Sequence, residues 1–451
     1  MKERRSVADE WSIRASGKRI VVGLALVVLV AFGPHPWRAR ALTNRFVSTS
    51  GNDMGGTNDC TNSGQPCATI QNAINHSVTG DFIQLGPGTF FEDVIVNQNV
   101  TIQGDSTVGT TVNGSNAGSV FTVQFFVTAA GLSTLTITNG SGSPLNFASG
   151  GGIFNAGKLI VTGCTITGNQ APNAAIAGFG GGIANFQGNL TLINSTINRN
   201  MAASGGGGLF NDSGSIATVV NSTISDNSAG SNGGGIRNDP NGTLNLTNTI
   251  IAGSLSGGDC VNNGTVGTND KSLIQDGSCG PAISGDPKLG SLQNNGGPTF
   301  TQALLPGSPA IDAGDDSVVG SPFNLTTDQR GPGFPRKSGL HVDIGAFEAP
   351  PFTTCLRDNS TGNLLQWNST TGAYKFTRCS DGFMITGTGV VKLVNGIQTL
   401  TDFKTDRRIS AGFNTGQLTG NATIYLMVAQ GVWQSFQIVD TNPNAVCACP
   451  G

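Results

Sequence analysis

Apolar and polar residues alternate along the middle of the chain in two short blocks that return at a regular interval. The first block opens with three glycines and reads GGGIFN from Gly150, GGGIAN from Gly180, GGGLFN from Gly206 and GGGIRN from Gly233. The second block reads LIVTGCTITGN from Leu159, LTLINSTINRN from Leu190, ATVVNSTISDN from Ala217 and LNLTNTIIAGS from Leu244. Its last three copies start at 190, 217 and 244, which is the constant period of a solenoid whose repeats bury their apolar faces against one another.

Blocks of this length predict short β-strands, and too few residues separate them for a helix. We therefore expect an all-β chain whose main part is a right-handed parallel β-helix, with coils stacked ~4.8 Å apart. Equivalent residues then form columns. Two inward columns are predicted, Ile166, Ile197, Ile224 and Ile251, and Ile153, Ile183, Leu209 and Ile236. Alternation places Phe154, Ala184, Phe210 and Arg237 on the outside.

Asparagines end many of these blocks and fall into two further columns. These are Asn155, Asn185, Asn211 and Asn238 in one, and Asn169, Asn200 and Asn227 in the other. An amide can donate to the coil on one side and accept from the coil on the other. We interpret both columns as structural ladders, with ligand binding as the alternative.

Weaker copies of the pattern lie upstream, in GDFIQLGPGTFFEDVIVNQNVTIQGD from Gly80 and GLSTLTITNG from Gly131. The segment ATIQNAINHSV has apolar residues at helical spacing, Ile70, Ala73 and Ile74. It predicts a short helix that caps the open N-terminal end of the solenoid. Residues 42–293 are assigned to the β-helix and this cap.

The composition limits the partners and the location of the protein. Only 11% of the residues are charged, and no Lys or Arg occurs between Arg45 and Lys158, which argues against nucleic acid. Residues 1–41 have the features of a signal peptide: a basic stretch, the apolar run Ile20 to Phe32 and the small-residue site around Ala41. The run is shorter than the ~20 residues of a membrane span. We expect a monomer without a span in the mature chain, secreted or at the surface or outer membrane of a bacterium.

Nine cysteines fit an oxidising compartment. Proximity predicts the disulfides Cys60–Cys67 and Cys260–Cys279. Cys164 falls in a column with Ser195, Ser222 and Thr249 and is predicted to be buried and unpaired. The last four, Cys355, Cys379, Cys447 and Cys449, allow three connectivities. No spacing matches a zinc site, so no metal ligands are predicted among the cysteines.

Several motifs resemble known families. The segment from Gly80 looks like the opening coils of bacterial pectin-lyase-like β-helix proteins, and the GGGIFN and TITGN pairs resemble the repeats of polymorphic outer-membrane proteins. NNGGPTFTQALLPGSPAIDAG from Asn294, TDQRG from Thr327 and VDIGAFE from Val342 are similar to the segment called choice-of-anchor Q in secreted bacterial proteins. Together they imply a surface or secreted β-helix, most of whose relatives have no demonstrated reaction.

Residues 294–348 are turn-rich and are expected to wrap the far end of the solenoid as its C-terminal cap. Their charged residues are Asp312, Asp315, Asp328, Arg330, Asp343 and Glu348. We interpret these as a network that fixes irregular backbone, with Arg330 paired to a carboxylate; calcium bound among the carboxylates is the alternative. Residues 349–354 are assigned to a linker, and residues 355–451 to a separate small antiparallel β domain with disulfides.

Catalytic candidates are few. A lyase needs an Arg or Lys base and a hydrolase needs paired acids, yet the four clear repeats hold only Lys158, Arg199 and Arg237 as basic residues. Asp212 and Asp239 share a column close to Arg237, and these three residues are the best catalytic candidates; solvated turn residues are the alternative. Arg199 and Asp226 are expected to form an exposed ion pair one coil apart.

A binding role requires less chemistry. Phe154, Phe210 and Arg237 would form an outward strip on which sugar rings could stack, unless a loop such as NQAPNAAIAGFG covers it. The expected function is an exported, non-catalytic, adhesin-like scaffold that binds polysaccharide or a cell-surface protein. A polysaccharide lyase or glycoside hydrolase is the alternative, followed by a purely structural envelope component. No cofactor is expected beyond the calcium alternative.

Overall fold

The computed structural model describes residues 42–53, 58–142, 149–172, 178–305 and 307–350, and the backbone of the strands between 354 and 440. The predicted disulfides Cys60–Cys67 and Cys260–Cys279 are both present, and Cys164 is unpaired and buried. Residues Cys379, Cys447 and Cys449 and the predicted signal peptide lie outside the described residues, and only the backbone of Cys355 is described.

Short parallel strands make up the chain from 44 to 274. They are β1 (Asn44–Val47), β2 (Phe82–Leu85), β3 (Gly88–Phe91), β4 (Val94–Val96), β5 (Thr101–Gln103), β6 (Thr110–Asn113), β7 (Phe121–Val123), β8 (Ala130–Ser133), β9 (Leu135–Thr138), β10 (Ile153–Asn155), β11 (Lys158–Thr162), β12 (Thr165–Thr167), β13 (Gln170–Ala171), β14 (Ile183–Asn185), β15 (Asn189–Ile193), β16 (Thr196–Asn198), β17 (Met201–Ala202), β18 (Leu209–Asn211), β19 (Ile216–Val220), β20 (Thr223–Ser225), β21 (Ser228–Ala229), β22 (Ile236–Asn238), β23 (Thr243–Thr247), β24 (Ile250–Ala252), β25 (Cys260–Asn262), β26 (Thr265–Asp270) and β27 (Leu273–Ile274).

These strands stack into the three long parallel sheets of a β-helix, as the repeat predicts. Sheet 1 has the order β1-β2-β5-β8-β11-β15-β19-β23-β26, and sheet 2 has the order β4-β7-β10-β14-β18-β22-β25. Sheet 3 has the order β3-β6-β9-β12-β16-β20-β24-β27, and a small parallel sheet joins β13, β17 and β21. From β2 to β25 each coil contributes one strand to each long sheet, so residues one repeat apart are neighbours.

The core consists of the predicted apolar columns. Ile166, Ile197, Ile224 and Ile251 are paired in register along sheet 3, and each is fully buried. Along sheet 2, in-register pairing likewise aligns four fully buried residues, Ile153, Ile183, Leu209 and Ile236. The glycine blocks let the backbone pass close to this core: a Cβ on Gly182 would lie 2.6 Å from the Gly208 carbonyl oxygen, which leaves no room for a side chain.

The predicted capping helix, α1 (Ile70–His76), covers the N-terminal end with Ile70, Ala73 and Ile74 buried. The Thr69 side chain caps it by accepting from the Asn72 amide at 3.2 Å. Beside the helix, Arg45 and Asp81 form a fully buried ion pair at 2.8 Å.

Residues 294–305 and 307–349, which we call the belt, run along the side of the solenoid and not over its far end. The Thr165 hydroxyl donates to the Phe300 carbonyl at 2.6 Å, and the Ala346 amide donates to the Thr223 hydroxyl at 3.1 Å. These contacts follow the outer face of sheet 3 from β12 to β20. The expected end cap is therefore wrong in its placement, because the attachment sites are distributed along successive coils.

Regular structure in the belt and beyond it is limited to a few elements. A hairpin joins β28 (Leu289–Gln293), which directly precedes the belt, to β29 (Thr301–Leu304) within it. The belt also contains a 3₁₀ turn, Asp316–Val319. An antiparallel sheet follows, formed by β30 (Thr354–Arg357), β31 (Leu364–Trp367), β32 (Ala373–Arg378) and β33 (Phe383–Thr388). A second contains β34 (Val390–Val394), β35 (Ile397–Thr401), β36 (Ile409–Asn414), β37 (Gly420–Ala429) and β38 (Val432–Asp440). The C-terminal region thus has the antiparallel strands that its sequence predicts.

Candidate functional site

The outer face of sheet 2 carries the residues that the sequence proposes for binding. Strand register aligns Thr122, Phe154, Ala184, Phe210 and Arg237 on successive coils. In each strand the flanking residues point inward, as Ile153 and Asn155 do in β10, so the middle residue must point outward. The predicted outward column is present.

The two phenylalanines of this column are nonetheless buried. Phe154 is 8% exposed and Phe210 is 1% exposed. Phe186 stacks on Phe154 with ring centroids 5.8 Å apart, and Phe179 stacks on Phe210 at 4.4 Å. An open strip formed by Phe154 and Phe210 is therefore wrong, and the alternative of a covering loop holds for Phe210, because two further rings cover the pair. Phe179 comes from the NQAPNAAIAGFG loop, and the signal that could have identified this cover is the pair of aromatic residues beside GGGIAN.

The half-buried outer rings and the buried inner rings form one surface with Arg237. We call Phe154, Phe179, Phe186, Phe210 and Arg237 the sheet 2 strip. The guanidinium carbon of Arg237 lies 5.0 Å from the centroid of Phe179 and 5.7 Å from that of Phe210. Both distances lie within the range of a cation–π contact.

Arg237 is also held by a carboxylate. Its Nε donates to Oδ1 of Asp239 at 2.6 Å, and the two side chains are 19% and 16% exposed. The other guanidinium N–H groups have no hydrogen-bond partner in the part of the chain that the structure describes. Arg237 is thus oriented by its neighbours and still presents donors to a ligand.

Asp212 lies one coil before Asp239, because Asn211 and Asn238 are paired in register. Burial is the largest cause that raises the pKa of Asp212 above its ordinary value of 3.8. A hydrogen bond from the Ser213 backbone opposes this rise, and the nearby charge of Asp239 adds to it. The structure thus brings Asp212, Asp239 and Arg237 to one edge of sheet 2.

The strip and its two carboxylates place aromatic, cationic and anionic groups at one edge of sheet 2. Flat aromatic faces bind the apolar faces of sugars, while a guanidinium and carboxylates can donate to and accept from hydroxyl groups. Asp212 and Asp239 also place two carboxyl groups on adjacent coils, and a pair of carboxyl groups is one requirement of glycoside hydrolysis. Asp239, however, is already occupied by Arg237.

Both asparagine columns form continuous hydrogen-bonded ladders, which accounts for their side chains without a ligand. Nδ2 of Asn155 donates to Asn185, Asn185 to Asn211, and Asn211 to Asn238, at 2.8, 2.8 and 2.7 Å. Asn238 continues to Asn262 at 2.6 Å. In the second column, Asn169 donates to Asn200 and Asn200 to Asn227, each at 3.0 Å.

The charged residues of the belt bind one another and the backbone. Arg330 pairs with Asp328 at 2.6 Å, and Arg336 with Glu348 at 2.7 Å. Burial first, and then the charge of Glu348, raises the pKa of Asp343 well above its ordinary value. Asp312 and Asp315 receive backbone N–H groups from His341 and Ser317 at 3.3 and 2.9 Å. Among the described residues no group of three or more His, Cys, Asp and Glu could hold a metal ion.

The expected ion pair of Arg199 and Asp226 is absent from the described residues. Oδ2 of Asp226 accepts instead from Nδ2 of Asn198 at 3.0 Å, and Arg199 is exposed. Asp226 also lines a shallow cavity of about 260 Å³, together with Asp286, which precedes β28, and Gln302 of β29. The cavity is separate from the sheet 2 strip.

Within the described residues, no helix is both long and apolar enough to span a membrane. No protein-family model matches the chain, and no curated protein is significantly similar to it. The choice-of-anchor Q and outer-membrane-repeat similarities therefore remain resemblances.

Solved structures similar to this chain include pectate lyase Pel9A, at 14% identity over 68% of this chain and 97% of that one, with a TM-score of 0.37. Pectin methylesterase from Aspergillus niger is 13% identical over 55% of this chain and 92% of that one, with a TM-score of 0.31. Pectin methylesterase PemA from Erwinia chrysanthemi is 13% identical over 58% and 86%, with a TM-score of 0.29. These similarities concern the fold alone, and no functional argument rests on them.

Proposed function

We propose that the protein is an exported, non-catalytic β-helical protein that binds carbohydrate on the outer face of sheet 2. The observation that carries this proposal is Arg237: it lies on two aromatic rings and is fixed by Asp239, and its other N–H donors have no partner among the described residues. A rigid β-helix suits such a role because its surface is already ordered before the ligand arrives. The two disulfides support export, since disulfides persist in oxidising compartments.

The test is glycan binding by the purified chain and by an Arg237→Ala variant. Loss of the charged donors should weaken binding by about tenfold or more, since a hydrogen bond to a charged group is worth about 1.5 to 3 kcal/mol. Phe179→Ala should weaken it as well, because the cation–π contact and the half-buried outer ring are both lost.

Arg199→Ala is the matched control, since Arg199 is an exposed arginine without an ion pair to Asp226 and lies away from the strip. It should bind like the unmodified protein. Equal binding by the Arg237→Ala and Arg199→Ala variants, or no glycan binding by the unmodified chain, would contradict the proposal.

A second candidate function is glycoside hydrolysis, favoured by the raised pKa of Asp212 beside Asp239. A carboxyl group with a raised pKa can serve as a general acid. Release of new reducing ends from glycans that the protein binds, abolished in an Asp212→Asn variant, would support this function. Binding without product in prolonged incubation supports the non-catalytic role.

A further inference from the structure

A second aromatic pair lies beside the sheet 2 strip and takes no part in packing it. Phe125 and Phe126 are 80% and 52% exposed, and their rings meet edge to face with centroids 5.4 Å apart. They are at the tip of the turn between β7 and β8. Two large exposed rings side by side form an apolar patch, and such patches often mark interaction sites.

The turn that carries this pair is well anchored. Val127 is 2% exposed, and its amide donates to the Gln124 carbonyl at 3.0 Å. Oδ1 of Asn99, on the previous coil, accepts from the amides of Thr128 and Ala129 at 2.8 and 3.1 Å. The rings are therefore presented on fixed backbone, and binding would require little ordering of the turn.

Strand register places the pair in line with the strip. Val123 is opposite Asn155, which is opposite Asn185, so the turns that follow these residues stack along one corner between sheets 2 and 1. Phe125 and Phe126 occupy this corner on one coil, and Phe186 occupies it two coils later. Arg237, on β22, lies two coils beyond the coil of Phe186. The line therefore spans five coils, or ~19 Å at ~4.8 Å per coil.

We propose that this line is a row of subsites for an unbranched, neutral polysaccharide that lies parallel to the solenoid axis, with Phe125 and Phe126 as the distal subsite. The inference rests on the proposed function and names its ligand class. A coil advances the surface by ~4.8 Å, which is close to the length that one sugar adds to an extended chain. Phe125 and Phe126, Phe186 and Arg237 lie on the first, third and fifth coils of the line, so they would meet every second sugar of such a chain.

Charge favours a neutral ligand over an acidic one. Along this edge Arg237 is paired with Asp239, and Asp212 has no cationic partner among the described residues. Lys158 begins β11 just around the corner on sheet 1, so the edge holds two cations and two carboxylates. Without excess positive charge, the edge gives a polyanion no net electrostatic attraction.

The experiment measures binding of glucan, mannan and xylan oligosaccharides from disaccharide to octasaccharide, with galacturonate oligomers as the acidic series. For the unmodified chain, affinity for at least one neutral series should rise with length until the row is filled. A Phe125→Ala, Phe126→Ala double variant should bind the longest oligomers about tenfold more weakly and the shortest equally well, because only long chains reach the distal subsite. Leu255→Ala, which removes an apolar side chain that is 74% exposed elsewhere, is the control.

The outcomes separate this inference from the proposed function. Short oligomers that bind through Arg237 without any gain with length overturn the row of subsites and leave the proposed function intact. The row is likewise overturned if the double variant binds long chains like the unmodified protein, or if the acidic series binds more tightly than every neutral one. No binding of any oligomer overturns both.

Discussion

Arg237 shows how much a single side chain depends on residues far from it in sequence. Phe210 precedes it by one coil, Phe179 reaches it from a loop, and Asp239 fixes its Nε. Sequence periodicity predicts the column of Phe210 and Arg237 and the proximity of Asp239. The covering ring of Phe179 is not periodic, so its position follows from packing alone.

Asp212 should make the stability of the protein depend on pH. Its pKa in the folded state is raised above 3.8, so folding favours the protonated carboxyl. The stabilisation that Asp212 gives to the folded state is therefore greatest below the pKa of the unfolded state, and it is lost as the pH rises through the pKa of the folded state. We expect Asp212→Asn to raise the free energy of unfolding at about pH 7 and to change it little at about pH 3.

Urea unfolding of both proteins at the two pH values measures this effect. Asp105→Asn provides a comparison of opposite sign, since hydrogen bonds from Val108 and Thr107 lower the pKa of Asp105. Replacement of Asp105 should destabilise the protein at neutral pH. A gain in stability for Asp212→Asn that is the same at both pH values would show that burial does not shift its ionisation.

At the scale of the elements, the coils are held together by columns of two kinds. The apolar columns predicted from the repeat fill the core, and the asparagine ladders cross the corners where the backbone bends. Asn211 is fully buried, accepts from Asn185 and donates to Asn238. Because the amide can donate and accept at once, a residue without both functions would break the column in two.

Asn211→Ala should therefore lower the free energy of unfolding by about 3 kcal/mol, since buried groups on both neighbouring coils lose a partner. Asn245→Ala is the matched control. Asn245 faces outward on sheet 1, and the structure gives it one long hydrogen bond, to the Thr218 hydroxyl at 3.4 Å. Its replacement should cost less than about 0.5 kcal/mol. Similar losses in the two variants, measured by urea unfolding, would argue against the ladder as a source of stability.

For the whole molecule, the belt is the feature that sequence periodicity leaves undetermined. A third asparagine column, Asn194, Asn221 and Asn248, attaches it to the corner between sheets 1 and 3. Their amides donate to the carbonyls of Thr327, Asp343 and Asp315 at 2.8, 3.3 and 2.9 Å. All three adopt positive φ, from 43° to 48°, which turns the chain and directs the amides outward.

Arg336 is the residue on which the belt should depend most. It is fully buried, pairs with Glu348 and donates to the Gly345 carbonyl at 3.0 Å. Arg336→Ala leaves the buried Glu348 carboxylate with only the Ser338 and Asp343 amides and without its cationic partner, and should cost about 3 to 5 kcal/mol. Limited proteolysis should then cut the belt at new sites while the coils resist longer.

Lys337→Ala is the neighbouring control, because the pair of Lys337 with Asp316 is exposed and should be worth less than about 1 kcal/mol. Its proteolytic pattern should match that of the unmodified chain. If the Arg336→Ala variant also gave the proteolytic pattern of the unmodified chain, the belt would not depend on Arg336.

The sequence by itself determined the solenoid, because a column of like residues can be inferred wherever the spacing of a pattern is constant. The spacing of residues predicts the core column of Ile197, Ile224 and Ile251, the asparagine ladders and the capping helix. Proximity in sequence predicts the two disulfides. The sequence offers the NQAPNAAIAGFG loop as a possible cover of sheet 2, but only tertiary structure decided that Phe179 and Phe186 lie there and that the belt covers sheet 3. Those segments do not repeat, so their positions depend on long-range packing and hydrogen bonds that no local pattern encodes.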